Sequence, residues 1–201
     1  MIDLPLKSRR RFLQVSAASI AATALAGPAL AMASDPAIVR AAKAGLERAG
    51  ARVTHCDLVG VADFGQPSRA PRFHLVDLAG GRVDSRLVAH GRGSDPAHTG
   101  WLSAFSNAPR SEATSEGRYV TGDYYVGHHG RSMRLGGLDP TNSNAEAREI
   151  VVHSAWYVGP EVVRADGMLG RSEGCFAVSE SDLPEVLERL GPGRLIVATK
   201  L

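Results

Sequence analysis

The first clear hydrophobic pattern in the chain is helical and covers residues 35–50, DPAIVRAAKAGLERAG. Apolar side chains recur there on one stripe, at Ile38, Val39, Ala42 and Leu46. Asp35 is a good N-cap, Pro36 suits the first helical position, and Gly50 is typical of a helix end. The segment therefore predicts an amphipathic helix that packs one face on a core. A second capped helix is predicted in SESDLPEVLERLG, residues 179–191.

The other apolar runs are short and typical of β-strands. They are LVGVADF, RFHLVDL, RLVAHG, RYVTGDYYVG, SMRLGGL, EIVVHSAWYV and RLIVATK. Residues 79–81, AGG, predict a hairpin turn between the second and third runs. Residues 91–117 are mostly Gly, Ser, Asn, Pro and isolated aromatic residues, which indicates a long functional loop. These elements predict a mainly β fold, a sandwich or barrel with a few flanking helices, and not a doubly wound sheet.

Residues 1–33 carry a different pattern, in which SRRRFLQ precedes an uncharged, Ala-rich stretch with A-x-A cleavage sites. The pair Arg9 and Arg10 resembles a twin-arginine export signal, with Gln14 where the consensus has lysine. A retained membrane anchor is the alternative, which the short and only mildly apolar stretch disfavours. We expect an export signal over 1–33 and a single domain over 34–201. The exported domain is expected in the periplasm or another extracytoplasmic compartment, without stable membrane insertion once the signal is removed.

The expected mature domain is close to neutral in net charge. The chain has 23 basic and 21 acidic residues, and the leader contains four of the basic ones and one acidic one, which leaves 19 and 20. This near-neutral balance does not indicate nucleic-acid binding. Cys56 and Cys175 are the only cysteines, and export would place them where one disulfide can form. A free Cys56 is expected to be a small buried side chain.

Residues 170–178, GRSEGCFAV, contain two candidate nucleophiles. The pattern G-x-S-x-G places Ser172 as in the nucleophile elbow of α/β-hydrolases, but there the His follows the Ser, and all seven histidines here precede it. Cys175 needs a base, because a thiol with a pKa of about 8.5 is mostly protonated at pH 7. His153, at the end of the apolar run EIVVH, is the candidate base, although it also fits a histidine that merely ends a strand. Gly174 allows close backbone approach to a ligand, so nearby amides can form an oxyanion hole.

Metal and nucleotide sites are not indicated by the sequence. His128 and His129 are adjacent, and on a strand their side chains would point to opposite faces. The chain has no H-E-x-x-H and no cysteine pair at zinc spacing. The run HGRG, residues 90–93, lacks the third glycine and the following helix of a dinucleotide loop. We therefore expect neither a metal nor a cofactor.

The runs VVHSAWYVG and GRSEGCFAVS together resemble the YkuD-type L,D-transpeptidases, cysteine enzymes of the bacterial cell wall. FHLVDL, LVAHGRGS, FSN and YVTGDYYVGHHGRSMRLGGLD extend the likeness to the murein L,D-transpeptidase catalytic-domain branch, over residues 59–178. The resemblance implies Cys175 as nucleophile, His153 as base, and the Ser154 carbonyl as the group that orients the imidazole. It also implies that the amides of Gly174 and Cys175 stabilise the oxyanion.

The resemblance further implies a peptidoglycan stem tetrapeptide as acyl donor, cleaved between meso-diaminopimelate and D-alanine, with an amine as acceptor. An L,D-carboxypeptidase that uses water instead, and a catalytically silent peptidoglycan-binding domain, remain alternatives. The chain departs from much of the wider family at Glu173, where a His is common. A carboxylate there would oppose thiolate formation unless it points away from the thiol or pairs with Arg171 or another cation.

Further side chains are expected to border the substrate cleft. They are Arg171, Ser172, His129, Arg134 and Tyr125. Arg134 would meet a stem carboxylate, although the same hairpin residues also fit a solvated strand edge. Because Tyr124 and Tyr125 alternate, one is expected in the core and the other at the groove. In the long loop, Trp101, Phe105 and Asn107 are candidates for a lid.

Overall fold

The computed structural model describes residues 35–201, so the export signal predicted over 1–33 lies outside the described residues. The helices are α1 (Pro36–Ala49), α2 (Pro160–Asp166) and α3 (Leu183–Leu190). The strands are β1 (Leu58–Asp63), β2 (Phe73–Asp77), β3 (Arg82–Arg86), β4 (Gly117–Gly127), β5 (Gly130–Gly137), β6 (Val151–Ser154), β7 (Phe176–Val178) and β8 (Leu195–Thr199). Short 3₁₀ helices occur at Gly50–Arg52, Arg92–Ser94 and Pro140–Asn142.

The strands described in residues 35–201 form one eight-stranded sheet in the order β3-β2-β1-β8-β4-β5-β6-β7. The pairs β1–β8 and β6–β7 are parallel, and the other neighbouring strands are antiparallel. The predicted mainly β fold with flanking helices is thus confirmed. Strands β6 and β7, which carry or adjoin both candidate catalytic residues, lie together at one end of the sheet.

Both faces of the central sheet are buried. Successive side chains of a strand point to opposite faces, and in β1 Val59 and Val61 pack with Ile38 of α1 while Leu58 and Ala62 enter the larger core. The predicted start of α1 is confirmed, since the Asp35 carboxylate accepts a 2.8 Å hydrogen bond from a backbone amide two residues on. Burial on both faces explains why these strands read as nearly continuous apolar runs.

An aromatic cluster in the larger core anchors the segment that carries Cys175. The ring of Phe176 lies 5.3 Å from Tyr119, 6.2 Å from Phe64 and 6.5 Å from Phe73, measured between centroids. All four side chains are almost completely buried. Because Phe176 follows the cysteine directly, packing of this ring fixes the position of the thiol's backbone.

The third predicted strand was wrong in position. The hairpin turn at 79–81 is confirmed. The strand after it is β3, which ends at Arg86, the first residue of the apolar run RLVAHG that was predicted as the strand. The strand escaped prediction because RVDSR is a polar edge strand without apolar alternation. Residues Ala89 and Gly91 make only isolated bridges, to Ala177 and Ser172. They therefore flank the segment of the candidate nucleophile.

Two short elements were not predicted, namely α2 and β7. They contain seven and three residues, too few to show a periodic pattern. The run EIVVHSAWYV forms a strand only over its central part, β6. Residues 91–117 are irregular except for one 3₁₀ turn, as expected for a long loop. Within residues 35–201, no helix has the length and apolar character needed to cross a membrane.

Candidate active site

A cleft of about 1010 Å³ lies between the β4–β5 hairpin, the long loop and the ends of β6 and β7. Both candidate catalytic side chains, Cys175 and His153, line it. The side chains expected to border substrate also line it, and they are Arg171, Ser172, His129, Arg134 and Tyr125. The structure therefore brings seven sequence-predicted residues together from three separate segments, namely the β4–β5 hairpin, β6 and the loop before β7.

His153 is held in one tautomer by its own strand. Its Nδ1 lies 2.8 Å from the Ser154 carbonyl oxygen. Since a carbonyl only accepts, Nδ1 carries the proton and Nε2 keeps its lone pair. Burial lowers the pKa of His153 to about 4, with a further lowering by His129 and an opposing effect of the bond to Ser154. The imidazole is consequently neutral at pH 7 and can accept a proton at Nε2.

Cys175 is a protonated thiol in this environment. Burial raises its pKa to about 11, and the negative charge of Glu173 adds to the increase. The Val151 amide and Arg148 act in the opposite direction. The Sγ atom donates a long hydrogen bond, 3.5 Å, to the Glu149 carbonyl oxygen. The pair of Cys175 and the imidazole is therefore neutral, with the thiol proton still on sulfur.

The two cysteines do not form a disulfide in the described chain, and both are free thiols. Cys56 is exposed, so the expectation of a buried side chain was wrong. The strand is buried from Leu58 onward, and Cys56 lies in the irregular segment before it. The sulfur of the candidate nucleophile Cys175 is thus not blocked by a disulfide.

The loop before Cys175 is fixed by the Ser172 hydroxyl. This hydroxyl donates to the Cys175 carbonyl at 2.7 Å and accepts from the Gly174 amide at 3.2 Å. The Ser172 amide in turn donates to the His90 carbonyl at 2.9 Å. Ser172 is therefore a buried support of the loop that carries Cys175. The Gly174 amide, expected to face the oxyanion, donates to Ser172 instead.

Gly174 packs closely against the long loop and the residue before β6. Its φ is +116°, a conformation that L side chains rarely adopt. A Cβ at this position would lie 2.8 Å from both the Ala113 carbonyl oxygen and the Ile150 Cδ1. Glycine is required because the long loop passes directly over this point.

Arg148 connects the long loop to the floor of the cleft, and sequence reasoning missed it. Its guanidinium donates to the carbonyls of Ser106 and Ala113 and, at 2.8 Å, to the Ser115 hydroxyl. Within residues 35–201 it has no carboxylate partner. Burial lowers its pKa, while the nearby Cys175 acts to raise it. An arginine just before a strand can equally be a solvent-exposed side chain, so no sequence signal could identify Arg148 as part of the cleft.

The carboxylate of Glu173 is paired with Arg92, 3.1 Å away, and not with Arg171. Arg92 also binds Glu112, from the long loop. Arg171 instead donates to the Asp95 backbone carbonyl. Glu173 thus pairs with a different cation, 81 residues earlier in the sequence, and its charge still raises the pKa of Cys175.

The β4–β5 hairpin supplies the opposite wall. Arg134 stacks on the Tyr125 ring, with the guanidinium carbon 4.4 Å from its centroid. His128 and His129 occupy the turn between the strands and not a strand, so the alternation of strand faces does not apply and both line the cleft. The His129 ring stacks on His153 at 4.1 Å between centroids and 19° between planes.

Tyr124 does not enter the core, contrary to expectation for one tyrosine of the pair. It is 37% exposed, and its hydroxyl donates to the Leu187 carbonyl at 2.8 Å. A register shift between Thr121 and Tyr124 turns this part of β4 away from the core. Only the groove position of Tyr125 is confirmed.

The three loop residues considered as a lid do not cover the cleft. Trp101 is 46% exposed outside it, Phe105 packs on the core, and Asn107 donates to a backbone carbonyl at residue 140. The loop contributes Arg110 and Glu112 to the cleft wall instead. In residues 35–201, no three His, Cys, Asp or Glu side chains are grouped to hold a metal ion.

The sequence profile of the L,D-transpeptidase catalytic domain matches residues 31–198, and the chain belongs to this family. A search of curated proteins finds no match. Among solved structures, an L,D-transpeptidase from Mycobacterium smegmatis is similar, with 16% identity and a TM-score of 0.43 over 71% of this chain and 58% of its own.

Two further structures are similar at the same level. An L,D-transpeptidase from Mycobacterium tuberculosis H37Rv has 19% identity and a TM-score of 0.41, over 71% of this chain and 57% of its own. The helical cell shape determining protein Pgp2 from Campylobacter jejuni has 11% identity and a TM-score of 0.48, over 79% and 54%. This chain therefore spans just over half the length of the structures it matches.

Proposed function

We propose that this chain is an exported peptidoglycan L,D-transpeptidase in which Cys175 is the nucleophile and His153 is the base. The observation that carries the proposal is the shared cleft. A free thiol and an imidazole with its proton fixed on Nδ1 line the same cavity, and its walls carry several arginines. Cysteine acyl transfer requires a thiol and a base of this kind in one site, which supports the proposal.

The first half of the reaction forms a thioester. As Sγ of Cys175 attacks the carbonyl carbon of the meso-diaminopimelate residue, Nε2 of His153 takes the thiol proton. The tetrahedral intermediate then collapses, the bond to D-alanine breaks, and the imidazolium returns the proton to the leaving nitrogen. Because the resting pair is neutral, the proton moves during attack and not before it. The Ser154 carbonyl stabilises the transient imidazolium through Nδ1–H.

In the second half, an acceptor amine attacks the thioester carbonyl. The imidazole removes a proton from that nitrogen, and the departing sulfur recovers it as the thiol is restored. Water as acceptor would complete the same cycle and yield a tripeptide, which is the carboxypeptidase alternative. No cofactor is needed for either outcome, because the thioester conserves the acyl group between the two steps.

The charge of the cleft suits a donor that carries carboxylates. Within residues 35–201, Arg110 and Arg134 line the cleft without a carboxylate partner. Arg134 is held by its stacking on Tyr125, which leaves its N–H edge to bind substrate. Arg171 extends the positive wall, and Ser172 contributes through the loop that it supports. The twin-arginine leader proposed over 1–33 would deliver this cleft to the compartment that contains peptidoglycan.

The test is incubation of the purified full-length chain with diaminopimelate-containing tetrapeptides, followed by mass spectrometry. Cross-linked dimers indicate transpeptidation, and tripeptides alone indicate the carboxypeptidase. Unchanged tetrapeptide with retained binding to sacculi indicates a silent binding domain. Cys175→Ala and His153→Gln are expected to abolish product, while Cys56→Ser, at the exposed thiol outside the cleft, is expected to retain it. A fully active Cys175→Ala protein would contradict the mechanism.

A further inference from the structure

We propose that His129 is a positioning residue whose ring holds the imidazole of His153 in the plane needed for proton transfer. This inference rests on the proposed function, since it concerns the same base. His129 is exposed in the β4–β5 turn, and His153 is 1% exposed beneath it. The two rings are stacked at 4.1 Å and 19°.

The stack supplies a restraint that the hydrogen bond of His153 does not. The bond from Nδ1 to the Ser154 carbonyl fixes one edge of the ring. The torsion that tilts an imidazole about its bond to Cβ has broad energy wells, so an edge contact alone leaves the tilt poorly defined. A second ring parallel to the first blocks that tilt on one face. Edge bond and face contact together define where Nε2 points.

The hairpin is tied to the strand that carries the base, so the stack is not a chance contact of a loose turn. Met133 and Arg134 of β5 pair with Val152 and Val151 of β6. Gly130, with φ of +72°, closes the turn next to His129. The turn therefore reaches His153 from the neighbouring strand of the same sheet.

Ring position, and not charge, is what the stack supplies. When Nε2 accepts the thiol proton, the buried ring becomes an imidazolium, which His129 disfavours because it lowers the pKa of His153. A phenyl ring at position 129 would provide the same stacking face without a nitrogen or a charge. We therefore expect Phe at position 129 to preserve activity and Ala to lower it. If His129 instead bound substrate through its nitrogens, Phe would lower activity as well.

The experiment compares His129→Ala and His129→Phe in the full-length chain by steady-state kinetics with the tetrapeptide donor. An aromatic pair contributes a few-fold to about tenfold in an equilibrium or rate. We expect His129→Ala to lower kcat by about 3- to 10-fold with KM unchanged, and His129→Phe to restore kcat. The control is Val126→Ala, an 83% exposed residue of the same hairpin outside the cleft lining, which should match wild type.

The inference is wrong if His129→Ala retains the wild-type kcat, if Phe is as slow as Ala, or if the loss lies in KM. A readout without turnover separates this failure from failure of the proposed function. In side-chain NMR, the ring protons of His153 should lose the shift produced by the stacked ring in His129→Ala and retain one in His129→Phe. If wild type makes no product but shows this behaviour, the proposed function fails and the stack stands; if His129→Ala leaves the His153 signals unchanged, the stack is refuted.

Discussion

Replacement of Arg148 by methionine tests whether the long loop and the thiol depend on one guanidinium. Methionine keeps much of the aliphatic volume but removes the donors. The carbonyls of Ser106 and Ala113 and the hydroxyl of Ser115 then lose a charged partner at the base of the cleft. The loop segment over Cys175 would lose its main polar connection to the residues before β6.

The expected loss follows from these three contacts. Each hydrogen bond to a charged donor contributes about 1.5–3 kcal/mol to stability. The three contributions do not add, because they come from one side chain and because its removal also removes the cost of burying its charge. We expect the free energy of unfolding to fall by about 3 kcal/mol. For a domain of this size that corresponds to a decrease in Tm of about 6–12 °C. Because the guanidinium lowers the pKa of Cys175, its removal should also raise that pKa and slow alkylation of the thiol at a fixed pH.

The assay combines urea denaturation with iodoacetamide alkylation at pH 9, in a Cys56→Ser background so that Cys175 is the only thiol. Arg131→Met is the matched control, since Arg131 is exposed on the same sheet, stacks on Tyr124 and does not line the cleft. Its change in stability should be within about 0.5 kcal/mol. The reasoning is refuted if Arg148→Met is as stable as this control or if its thiol reacts faster.

Three further outcomes are expected. Gly174→Ala should lower the free energy of unfolding by about 2–4 kcal/mol in urea denaturation and reduce product. Gly81→Ala is the control, since Gly81 has a φ of +68° but open space around it, and it should lower that free energy by only about 1 kcal/mol. Equal losses would disprove the steric clash. The rate of Cys175 alkylation should rise with pH toward a midpoint near 11, and a midpoint near 7 would instead reveal a preformed thiolate. The value of kcat/KM should fall as the pH is lowered toward 4, because His153 becomes protonated. Phe176→Ala should lower stability by about 3–5 kcal/mol by calorimetry, and a loss below about 1 kcal/mol would contradict its anchoring role.

Local patterns were sufficient for most elements of the fold. The cap and the apolar stripe of α1 predicted its start and its buried face, because both depend on residues a few positions apart. Strands β1, β2, β4, β5 and β8 followed from their apolar runs. Strand β3 and β7 escaped, since a polar edge strand and a three-residue strand are stabilised by their neighbours and carry no period of their own.

The candidate pair could also be named from sequence. Cys175 was separated from Ser172 by the chain order of the histidines and by the lack of the helices that an α/β-hydrolase requires. His153 followed from its place at a strand end and from the family resemblance. The surroundings of the pair could not be predicted. Arg148 and the partner of Glu173 depend on how residues 91–117 fold back, and nothing local in the chain encodes such long-range contacts.

By itself, then, the sequence determined which residues have the chemistry for acyl transfer, because nucleophile, base and flexible glycine are properties of side-chain type and near neighbours. Tertiary structure decided the states of these groups. Burial leaves the thiol of Cys175 and the imidazole of His153 both neutral, and the hairpin turn brings His129 onto the base. Protonation and ring orientation depend on desolvation and on contacts between distant segments, and these exist only once the chain has folded.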